Sequence, residues 1–366
     1  MRRVTASKMS ETAKHPSVVT ASEQTPLLES EYGPTRNSTV PKHASIGPRR
    51  VRRGQPMPQT IGHRGFKAAA PENTMAAFRA ATTTGVDAVE TDLHLTRDGV
   101  IVLCHDATLQ RCYGNKAKVR DLDWSEISQL RTLREPHEPM PRLIDLLEYL
   151  DQPELQDIWL MLDIKIDDDA EEMMKIIAET LALVPSKRPW NTRVTPCCWT
   201  ATYIRLSMKY LPDYPITHLG FSTSYARCLT HIPNISFSML RYTLASPSGG
   251  RFLRDMKKLG IPVYVWTVDE ESWMEWSIRK HVSGVITDEV ALFHEVCKRL
   301  DNGEGQTQPG NTTRRKAAGV KSSSIYQAIR FLGEMTLFNF LVTIFLAREF
   351  LKGGSTRHRV NKALNG

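Results

Sequence analysis

Two neighbouring stretches of the sequence carry the strongest indication of the fold. Residues 61–81 read IGHRGFKAAAPENTMAAFRAA, and residues 89–111 read VETDLHLTRDGVIVLCHDATLQR. The first stretch closes a short β-rich run at Thr60–Gly62 and leads into a helical pattern at Thr74–Thr84, and a second β-rich run follows at Ala88–Leu93. Strand, helix and strand in this order are typical of a βα unit on a parallel sheet.

The same alternation continues downstream to about residue 300. We predict eight strands, at Thr60–Gly62, Ala88–Leu93, Val100–His105, Trp159–Ile164, Val194–Trp199, Thr217–Ser222, Val263–Val268 and Gly284–Thr287. Eight strands with helical crossovers in about 240 residues match a (β/α)8 TIM barrel. Two segments fit this scheme less well. Arg97–Gly99 is a tight turn where a helix is expected, and Ile235–Arg241 has the pattern of a displaced strand.

Charge is distributed unevenly along the 366 residues. The chain has a formal net charge of +8, but residues 61–300 carry −4, whereas residues 1–60 and 301–366 carry +6 each. A nucleic-acid-binding protein usually carries its basic stripe on the folded domain, so we predict no nucleic-acid partner. Basic segments suit an anionic membrane surface, where each Lys or Arg contributes about 1 kcal/mol. The alternative is that these segments are merely solvated.

Composition also sets the domain boundaries. The N-terminal region is rich in Ser, Thr, Pro and basic residues and lacks any periodicity, which indicates disorder. We divide the chain into a disordered basic N-terminal segment, a TIM barrel, a basic linker, a hydrophobic membrane-associating helix and a basic tail, at residues 1–58, 59–300, 301–324, 325–351 and 352–366.

The hydrophobic segment has its apolar centre at residues 335–347, which contain no charged residue. A helix of this length covers roughly 20 Å, less than the ~30 Å of a hydrocarbon core. Basic residues flank it on both sides, so the positive-inside rule selects no orientation. The simplest interpretation is a helix inserted shallowly into a bilayer or monolayer surface, with both flanks on the same side. The alternative is a helix buried in the protein core.

The six cysteines form no C-x-x-C pair, and no secretory signal precedes them. They are therefore predicted to be reduced thiols in a cytosol-facing protein. Together with the hydrophobic segment, this favours a cytosol-facing membrane surface, on a lipid droplet, a mitochondrion or the endoplasmic reticulum. A vacuolar location is favoured less. The oligomeric state stays open.

Candidate catalytic residues come at strand ends. Glu90 and Asp92 are two residues apart on a predicted strand, so both point into the barrel at its C-terminal mouth. The same parity places Asp163 and Lys165 together on a later inward face. Carboxylate oxygens are the ligands that Mg²⁺ and Ca²⁺ prefer, which predicts a divalent cation as cofactor.

Two histidines flank these carboxylates. His63 and His105 end the first and third predicted strands, and their ordinary pKa near 6.5 suits one as acid and the other as base. Arg64 can bind phosphate oxygens through two parallel hydrogen bonds. Any one of these residues alone is more often structural. Their joint occurrence at neighbouring strand ends indicates a site for a phosphodiester.

The order and spacing of these motifs resemble the glycerophosphodiester phosphodiesterase family. The matching motifs are His63-Arg64-Gly65, Pro71-Glu72-Asn73-Thr74, Glu90-x-Asp92, Thr96-x-Asp98-Gly99, His105-Asp106, Val265-Trp266-Thr267-Val268 and Gly284-Val-Ile-Thr-Asp288. The resemblance covers about residues 61–300 and implies a (β/α)8 barrel. From the residues alone, we predict that Pro71–Thr74 is a turn leading into the next helix.

The resemblance also implies a role for each candidate residue. His63 and His105 would be the general acid and base. Glu90, Asp92 and Asp163 would be ligands of the divalent cation. Arg64 and Lys165 would bind the phosphate. Trp266 would contact the glycerol or acyl part of the substrate. Position 163 carries Asp where the family commonly has the longer Glu, so the ion is expected closer to the strand or bound through water.

A barrel followed by a basic linker and a hydrophobic segment is similar to the phosphatidylglycerol-specific phospholipases C of fungi. The resemblance implies hydrolysis of this glycerophospholipid to diacylglycerol and glycerol phosphate at an anionic membrane or monolayer surface. One alternative is a glycerophosphodiesterase or lysophospholipase D that acts on deacylated lipids or lysolipids. A second alternative is a membrane-bound lipid-binding barrel without catalytic activity.

Overall fold

A computed structural model describes residues 51–52, 55–302 and 355–365. The predicted hydrophobic helix at 325–351 lies outside the described residues, as do the basic linker after residue 302 and the N-terminal segment up to residue 50. Within the described ranges, no helix is both long and apolar enough to cross a membrane.

Eight parallel strands close into a barrel, which confirms the predicted (β/α)8 architecture. Before it lies a short antiparallel pair, β1 (Val51–Arg52) and β2 (Gln55–Pro56). The barrel sheet contains β3 (Gln59–Gly62), β4 (Ala88–Leu95), β5 (Ile101–Leu103), β6 (Trp159–Ile164), β7 (Val194–Cys198), β8 (Ile216–Gly220), β9 (Ile235–Leu240), β10 (Val263–Trp266) and β11 (Gly284–Thr287). Only β5 is antiparallel among these strands, and β11 pairs with β3 to close the ring.

The strand prediction was wrong in one place. Val100–His105 was predicted as the third barrel strand, but β5 pairs antiparallel with β4, and β6 takes the next barrel position. The turn at Arg97–Gly99 is too short for the crossover of a dozen or more residues that parallel strands require. The missing eighth strand is β9, whose serines face the barrel interior and whose apolar residues face the helices.

Helices cover the outside of the barrel. They are α1 (Met75–Thr84), α2 (Gln110–Tyr113), α3 (Trp124–Ile127), α4 (Leu143–Leu150), α5 (Ala170–Leu183), α6 (Ala201–Tyr210), α7 (Thr223–Cys228), α8 (Arg241–Ala245), α9 (Pro247–Leu259), α10 (Glu271–Lys280), α11 (Val290–Asp301) and α12 (Thr356–Asn365). Short helices α2 and α3 belong to an excursion, residues 104–140, which has a small apolar core of its own.

The barrel interior is apolar at its base and charged at its mouth. Ala88 has the same inward parity as Glu90, and Met161 the same as Asp163, one layer further from the mouth. Trp159 and Tyr264 pack across the base with ring centroids 5.5 Å apart. The interior is therefore apolar at the base, and its charged side chains lie at the C-terminal mouth.

The last described helix packs on the barrel. Within the range predicted as a basic tail, α12 contacts α6 and α7, and Val360 on it is buried. Arg205 Nε on α6 donates a hydrogen bond to the carbonyl oxygen of Ala363 (3.2 Å). Val360, Ala363 and Leu364 recur at helical spacing, which gives this otherwise polar helix one apolar stripe.

Candidate active site

Three buried carboxylates meet at the barrel mouth. Glu90 and Asp92 project from β4, and Asp163 from β6 lies directly beside Asp92 in the strand register. One oxygen of each carboxylate lies within 4.8 Å of the others. The strand parity is therefore as predicted, and the shorter Asp at position 163 still reaches the cluster. An all-oxygen donor set of this kind fits a hard divalent cation.

Two cations lie against this cluster. Lys165 Nζ is 2.6 Å from Asp92 Oδ1 and 2.6 Å from Asp163 Oδ2, and Arg64 Nε is 3.1 Å from Asp92 Oδ2. Burial would raise the pKa of Asp92, but the charges of Lys165 and Arg64 outweigh it and hold this pKa well below its usual range. Burial would likewise lower the pKa of Lys165, yet the two carboxylates raise it. Both residues are thus held in their charged forms.

The negative charge of the cluster is not fully balanced. Burial and the charge of Asp92 raise the pKa of Glu90 to about 7, although His63 opposes this. Burial also raises the pKa of Asp163, with Asp92 adding to the effect and Lys165 opposing it. Three carboxylates face two cations, and a divalent cation would relieve the remaining repulsion. The residues present therefore fit such a cofactor.

His63 follows β3 and is held by a carboxylate from the neighbouring strand end. Its Nδ1 lies 2.6 Å from Asp288 Oδ1, and Lys67 Nζ donates to the other oxygen of Asp288 (2.8 Å). Burial would lower the pKa of His63, but the hydrogen bond to Asp288 and the charge of Glu90 raise it overall. Asp288 has a pKa of about 2, because His63 and Lys67 outweigh its burial.

His105 reaches the site by a different path from the one predicted. It does not end a parallel barrel strand; β4 extends past its neighbours, and antiparallel β5 brings the chain back. The backbone N–H of Cys104 donates to the carbonyl oxygen of Asp92 (3.1 Å), so His105 comes next to the carboxylate cluster. Its Nδ1 lies 2.7 Å from Asp106 Oδ1. Burial lowers the pKa of His105, with Lys165 and Arg64 adding to the effect and Asp92 opposing it.

The turn before α1 is part of the site as well as a helix start. Thr74 Oγ1 accepts from the N–H of Ala77 at the start of α1, as the predicted turn requires. Beyond that prediction, Asn73 Nδ2 donates to Asp92 Oδ2 (2.8 Å), and Glu72 Oε1 accepts from Arg64 Nη1 (2.8 Å). Glu72 therefore holds Arg64, and Asn73 holds Asp92.

Two tryptophans line the mouth beside Asp163. Trp266 ends β10, and its ring meets that of Trp199 edge to face at a centroid distance of 6.0 Å. Trp199 Nε1 donates to Asp163 Oδ1 (2.8 Å), which connects this wall to the carboxylates. Sequence reasoning identified Trp266 but missed Trp199, whose position after the fourth barrel strand was the available signal.

All eight predicted site residues thus come together at one end of the barrel. Sequence reasoning gave no role to the residues that orient them. These are Glu72, Asn73, Asp106, Arg111, Trp199 and Asp288. Asp106 follows His105 directly in the sequence. Asp288 follows β11, which pairs with β3, the strand before His63. Both roles could therefore have been predicted from the sequence. Arg111 carries no such signal.

Comparison with known proteins gives a consistent result. Residues 63–292 match the glycerophosphoryl diester phosphodiesterase family. A glycerophosphodiester phosphodiesterase of Caldanaerobacter subterraneus is 30% identical over 238 residues, which cover 63% of this chain and 93% of the relative. A lysophospholipase D of Rattus norvegicus is 46% identical over 67 residues, which cover 18% of this chain and 21% of the relative.

Solved structures show the same fold. A glycerophosphodiester phosphodiesterase of Thermotoga maritima superposes with a TM-score of 0.54 at 26% identity, covering 65% of this chain and 98% of the other. A phosphodiesterase of Oleispira antarctica, solved with its product sn-glycerol-3-phosphate, gives a TM-score of 0.57 at 20% identity. That match covers 66% of this chain and 97% of the other.

Proposed function

The chain belongs to the glycerophosphoryl diester phosphodiesterase family, and on that premise we propose that it hydrolyses phosphatidylglycerol to diacylglycerol and glycerol phosphate at a membrane surface. Family membership makes the protein a phosphoric diester hydrolase. The chemistry is carried by one observation, namely that three buried carboxylates, two cations and two histidines lie together at the barrel mouth.

Charge complementarity assigns the phosphate-binding groups. Arg64 and Lys165 would bind the phosphodiester oxygens, since both are held charged at the mouth. Glu90, Asp92 and Asp163 would hold a divalent cation, Mg²⁺ or Ca²⁺, which when bound polarises a phosphoryl oxygen and stabilises negative charge.

The two histidines would move the protons. One accepts a proton from the nucleophile and the other donates one to the oxygen of the leaving diacylglycerol. The nucleophile is either water, or the 2-hydroxyl of the head-group glycerol with a cyclic phosphate that water then opens. His63 and His105 each bind a carboxylate through Nδ1, which leaves Nε2 as the nitrogen that exchanges a proton. Trp266 and Trp199 would contact the glycerol or acyl part.

Two observations support a membrane lipid as the substrate. One is the sequence of the hydrophobic segment, which lies outside the described residues, and the other is the contact of α12 with the barrel. The apolar centre at 335–347 lies between basic flanks, a pattern that suits insertion into an anionic surface. The described residues on either side of the hydrophobic segment, α11 and α12, belong to the same barrel. This favours entry and exit of the segment on the same side of a cytosol-facing membrane. A lipid droplet, a mitochondrion or the endoplasmic reticulum would suit it.

A second substrate class is favoured by the relatives. The curated names include a glycerophosphodiester phosphodiesterase and a lysophospholipase D, which indicates deacylated lipids or lysolipids as alternative substrates. In that case the hydrophobic segment would determine only where the protein resides. A lipid-binding barrel without activity is disfavoured, because none of the charged groups needed for hydrolysis has been lost from the mouth.

The test compares a membrane substrate with a soluble one. Full-length protein is assayed on phosphatidylglycerol vesicles and on glycerophosphoglycerol, with Mg²⁺, with Ca²⁺ and with chelator. We expect chelator-sensitive release of diacylglycerol from the vesicles, and its loss in His63→Ala and His105→Ala. Turnover of the soluble diester alone would contradict the phospholipase C proposal, and no turnover of either would contradict hydrolysis.

The hydrophobic segment needs its own variant. Truncation at residue 325 would also remove α12, which packs on the barrel. The appropriate variant therefore replaces residues 303–354 by a flexible Gly/Ser linker and keeps α12 in place. We expect this protein to lose activity on vesicles while keeping its activity on the soluble diester.

A further inference from the structure

We propose that Arg111 is a positioning residue for the reaction proposed above, on which this inference rests. Arg111 lies on α2 in the excursion and contacts none of the three carboxylates of the cluster. It joins the loop that carries His105 to the loop that carries Arg64. In the proposed role it sets the distance between a proton-transferring group and a phosphate-binding group.

The contacts of Arg111 are two forked ion pairs made by one guanidinium group. Nη1 donates to Glu72 Oε2 (2.8 Å) and Nη2 to Glu72 Oε1 (2.7 Å). Nε donates to Asp106 Oδ2 (2.7 Å), and Nη2 also reaches Asp106 Oδ1 (3.1 Å). All three guanidinium nitrogens are therefore in use, and each carboxylate is held by both of its oxygens.

Each carboxylate that Arg111 holds has a second partner in the site. Asp106 Oδ1 accepts from His105 Nδ1 (2.7 Å), and Glu72 Oε1 accepts from Arg64 Nη1 (2.8 Å). One unbroken series of charge-assisted hydrogen bonds therefore runs from His105 through Arg111 to Arg64. Such bonds are short and directional, so they define geometry as well as charge.

Arginine is required at this place by geometry. The guanidinium group is planar and presents its donors in a fixed fork, whereas a lysine ammonium cannot bind two carboxylates through two oxygens each. Without a cation between them, Glu72 and Asp106 would repel one another. Relaxation of either carboxylate would carry Arg64 or His105 with it.

Removal of Arg111 leaves each of its partners with another contact, Glu72 with Arg64 and Asp106 with His105. The Arg111 side chain is 48% exposed, whereas Glu72 is only 9% exposed. Further along the excursion, Arg134 attaches it to the loop that carries Arg64. Its guanidinium donates to the carbonyl oxygens of Lys67, Ala68 and Ala70, at 2.6, 2.8 and 2.9 Å. Loss of Arg111 should therefore misalign the site and leave the loops attached.

The test substitutes Arg111 by Gln and by Lys in the full-length protein, with glycerophosphoglycerol as the substrate. We expect kcat to fall about 100-fold in Arg111→Gln, since a misplacement of 1 Å can cost this much. Arg111→Lys should recover only part of the loss. KM should change by no more than about threefold, because Arg64 and Lys165 still bind phosphate.

Arg299 provides the control. On the outer helix α11 it also faces two carboxylates, Glu271 at 2.7 Å and Glu275 at 3.6 Å, with 35% of its side chain exposed, and both partners lie on α10 outside the barrel. Arg299→Gln should therefore keep the wild-type kcat, and the folded fraction of Arg111→Gln is measured separately. A kcat for Arg111→Gln within threefold of wild type, or a loss no larger than the unfolded fraction seen by circular dichroism, would overturn the inference.

Chemical rescue distinguishes a positioning role of Arg111 from a purely structural one. Methylguanidinium should raise the kcat of Arg111→Ala by about tenfold or more, because the position is open to solvent and the added cation can bridge the two carboxylates. It should leave the kcat of Arg299→Ala unchanged. Equal effects on the two variants, or none on Arg111→Ala, count against the inference. An inactive wild-type protein would instead remove the proposed function itself.

Discussion

Each histidine of the site is oriented by its own carboxylate. Asp288 binds His63 and Asp106 binds His105, in both cases through Nδ1. A carboxylate at Nδ1 selects the tautomer and leaves Nε2 for proton transfer. The pKa values of the two imidazoles are nevertheless shifted in opposite directions, raised for His63 and lowered for His105. Two residues of one type thus differ because their surroundings differ.

Asp288→Asn tests this orientation through its pH dependence. The hydrogen bond and the negative charge of Asp288 both raise the pKa of His63, so their removal should lower it. We expect kcat to fall by about 10- to 100-fold, and the limb of the pH–rate profile that reports His63 to move to lower pH.

The control for this prediction is Asp255→Asn. Asp255 on α9 forms an ion pair with Arg227 on α7, on the outside of the barrel, and its loss should leave the pH–rate profile unchanged. A profile for Asp288→Asn that superposes on that of the wild type would show that Asp288 does not act on His63.

At the scale of elements, the β4–β5 hairpin decides where His105 lies. β4 has eight residues, and antiparallel β5 pairs with its last three, from Leu93 to Leu95. The turn between them contains Gly99, which has a φ of 78°. Thr96 Oγ1 donates to Asp98 Oδ1 and accepts from the N–H of Val100, which stabilises this turn. The chain then passes through the excursion to α4, which is the crossover helix between β4 and the parallel strand β6.

Gly99→Ala should therefore change both stability and activity. A residue with a side chain in the left-handed region costs about 1–2 kcal/mol, and relief of that strain would shift β5 and His105. We expect a lower melting temperature together with a several-fold lower kcat on glycerophosphoglycerol.

Gly85 supplies a control with the same local strain. It ends α1 with a φ of 92°. An added Cβ at Gly85 would meet no atom within 4 Å. At Gly99 it would meet only a side-chain carbon of Ile176, at 3.6 Å. Gly85→Ala should lower the melting temperature without lowering kcat. Equal kcat values for the two variants would show that the hairpin turn does not position His105.

At the scale of the whole molecule, α12 lies within the range predicted as a basic tail and packs on the barrel. Its apolar stripe packs on α6 and α7, although some fifty residues of chain separate it from α11. Val360 is buried in this contact, so the apolar stripe carries the packing of α12.

Val360→Asp tests this packing. A buried charge without a partner costs about 2 kcal/mol or more, so the variant should melt at a lower temperature as α12 leaves the barrel. His358→Asp changes an exposed position on the same helix and should melt like the wild type. Activity on the soluble diester should persist in both. Equal melting temperatures would mean that α12 contributes nothing to the stability of the barrel.

Local pattern was sufficient for the barrel and for its inward carboxylates. The period of two along a strand places Glu90 with Asp92 and Asp163 with Lys165, whatever the rest of the chain does. The same reasoning erred at Val100–His105, because apolar content indicates a strand but not its direction. Only the length of the connection distinguishes a hairpin from a crossover. The turn at Arg97–Gly99 is short, so it indicated a hairpin, although the count of eight strands had suggested a barrel strand.

Contacts between distant segments were decided by the tertiary structure alone. Arg111 meets Glu72 across 39 positions of sequence, and Arg134 meets Lys67 across 67. No periodicity encodes such pairs, because they depend on how two loops pack once the barrel has closed. The sequence therefore determined which groups can carry out the chemistry, through residue type and strand parity. The folded barrel determined which partner orients each group, because charged side chains are fixed by whatever lies within hydrogen-bonding distance.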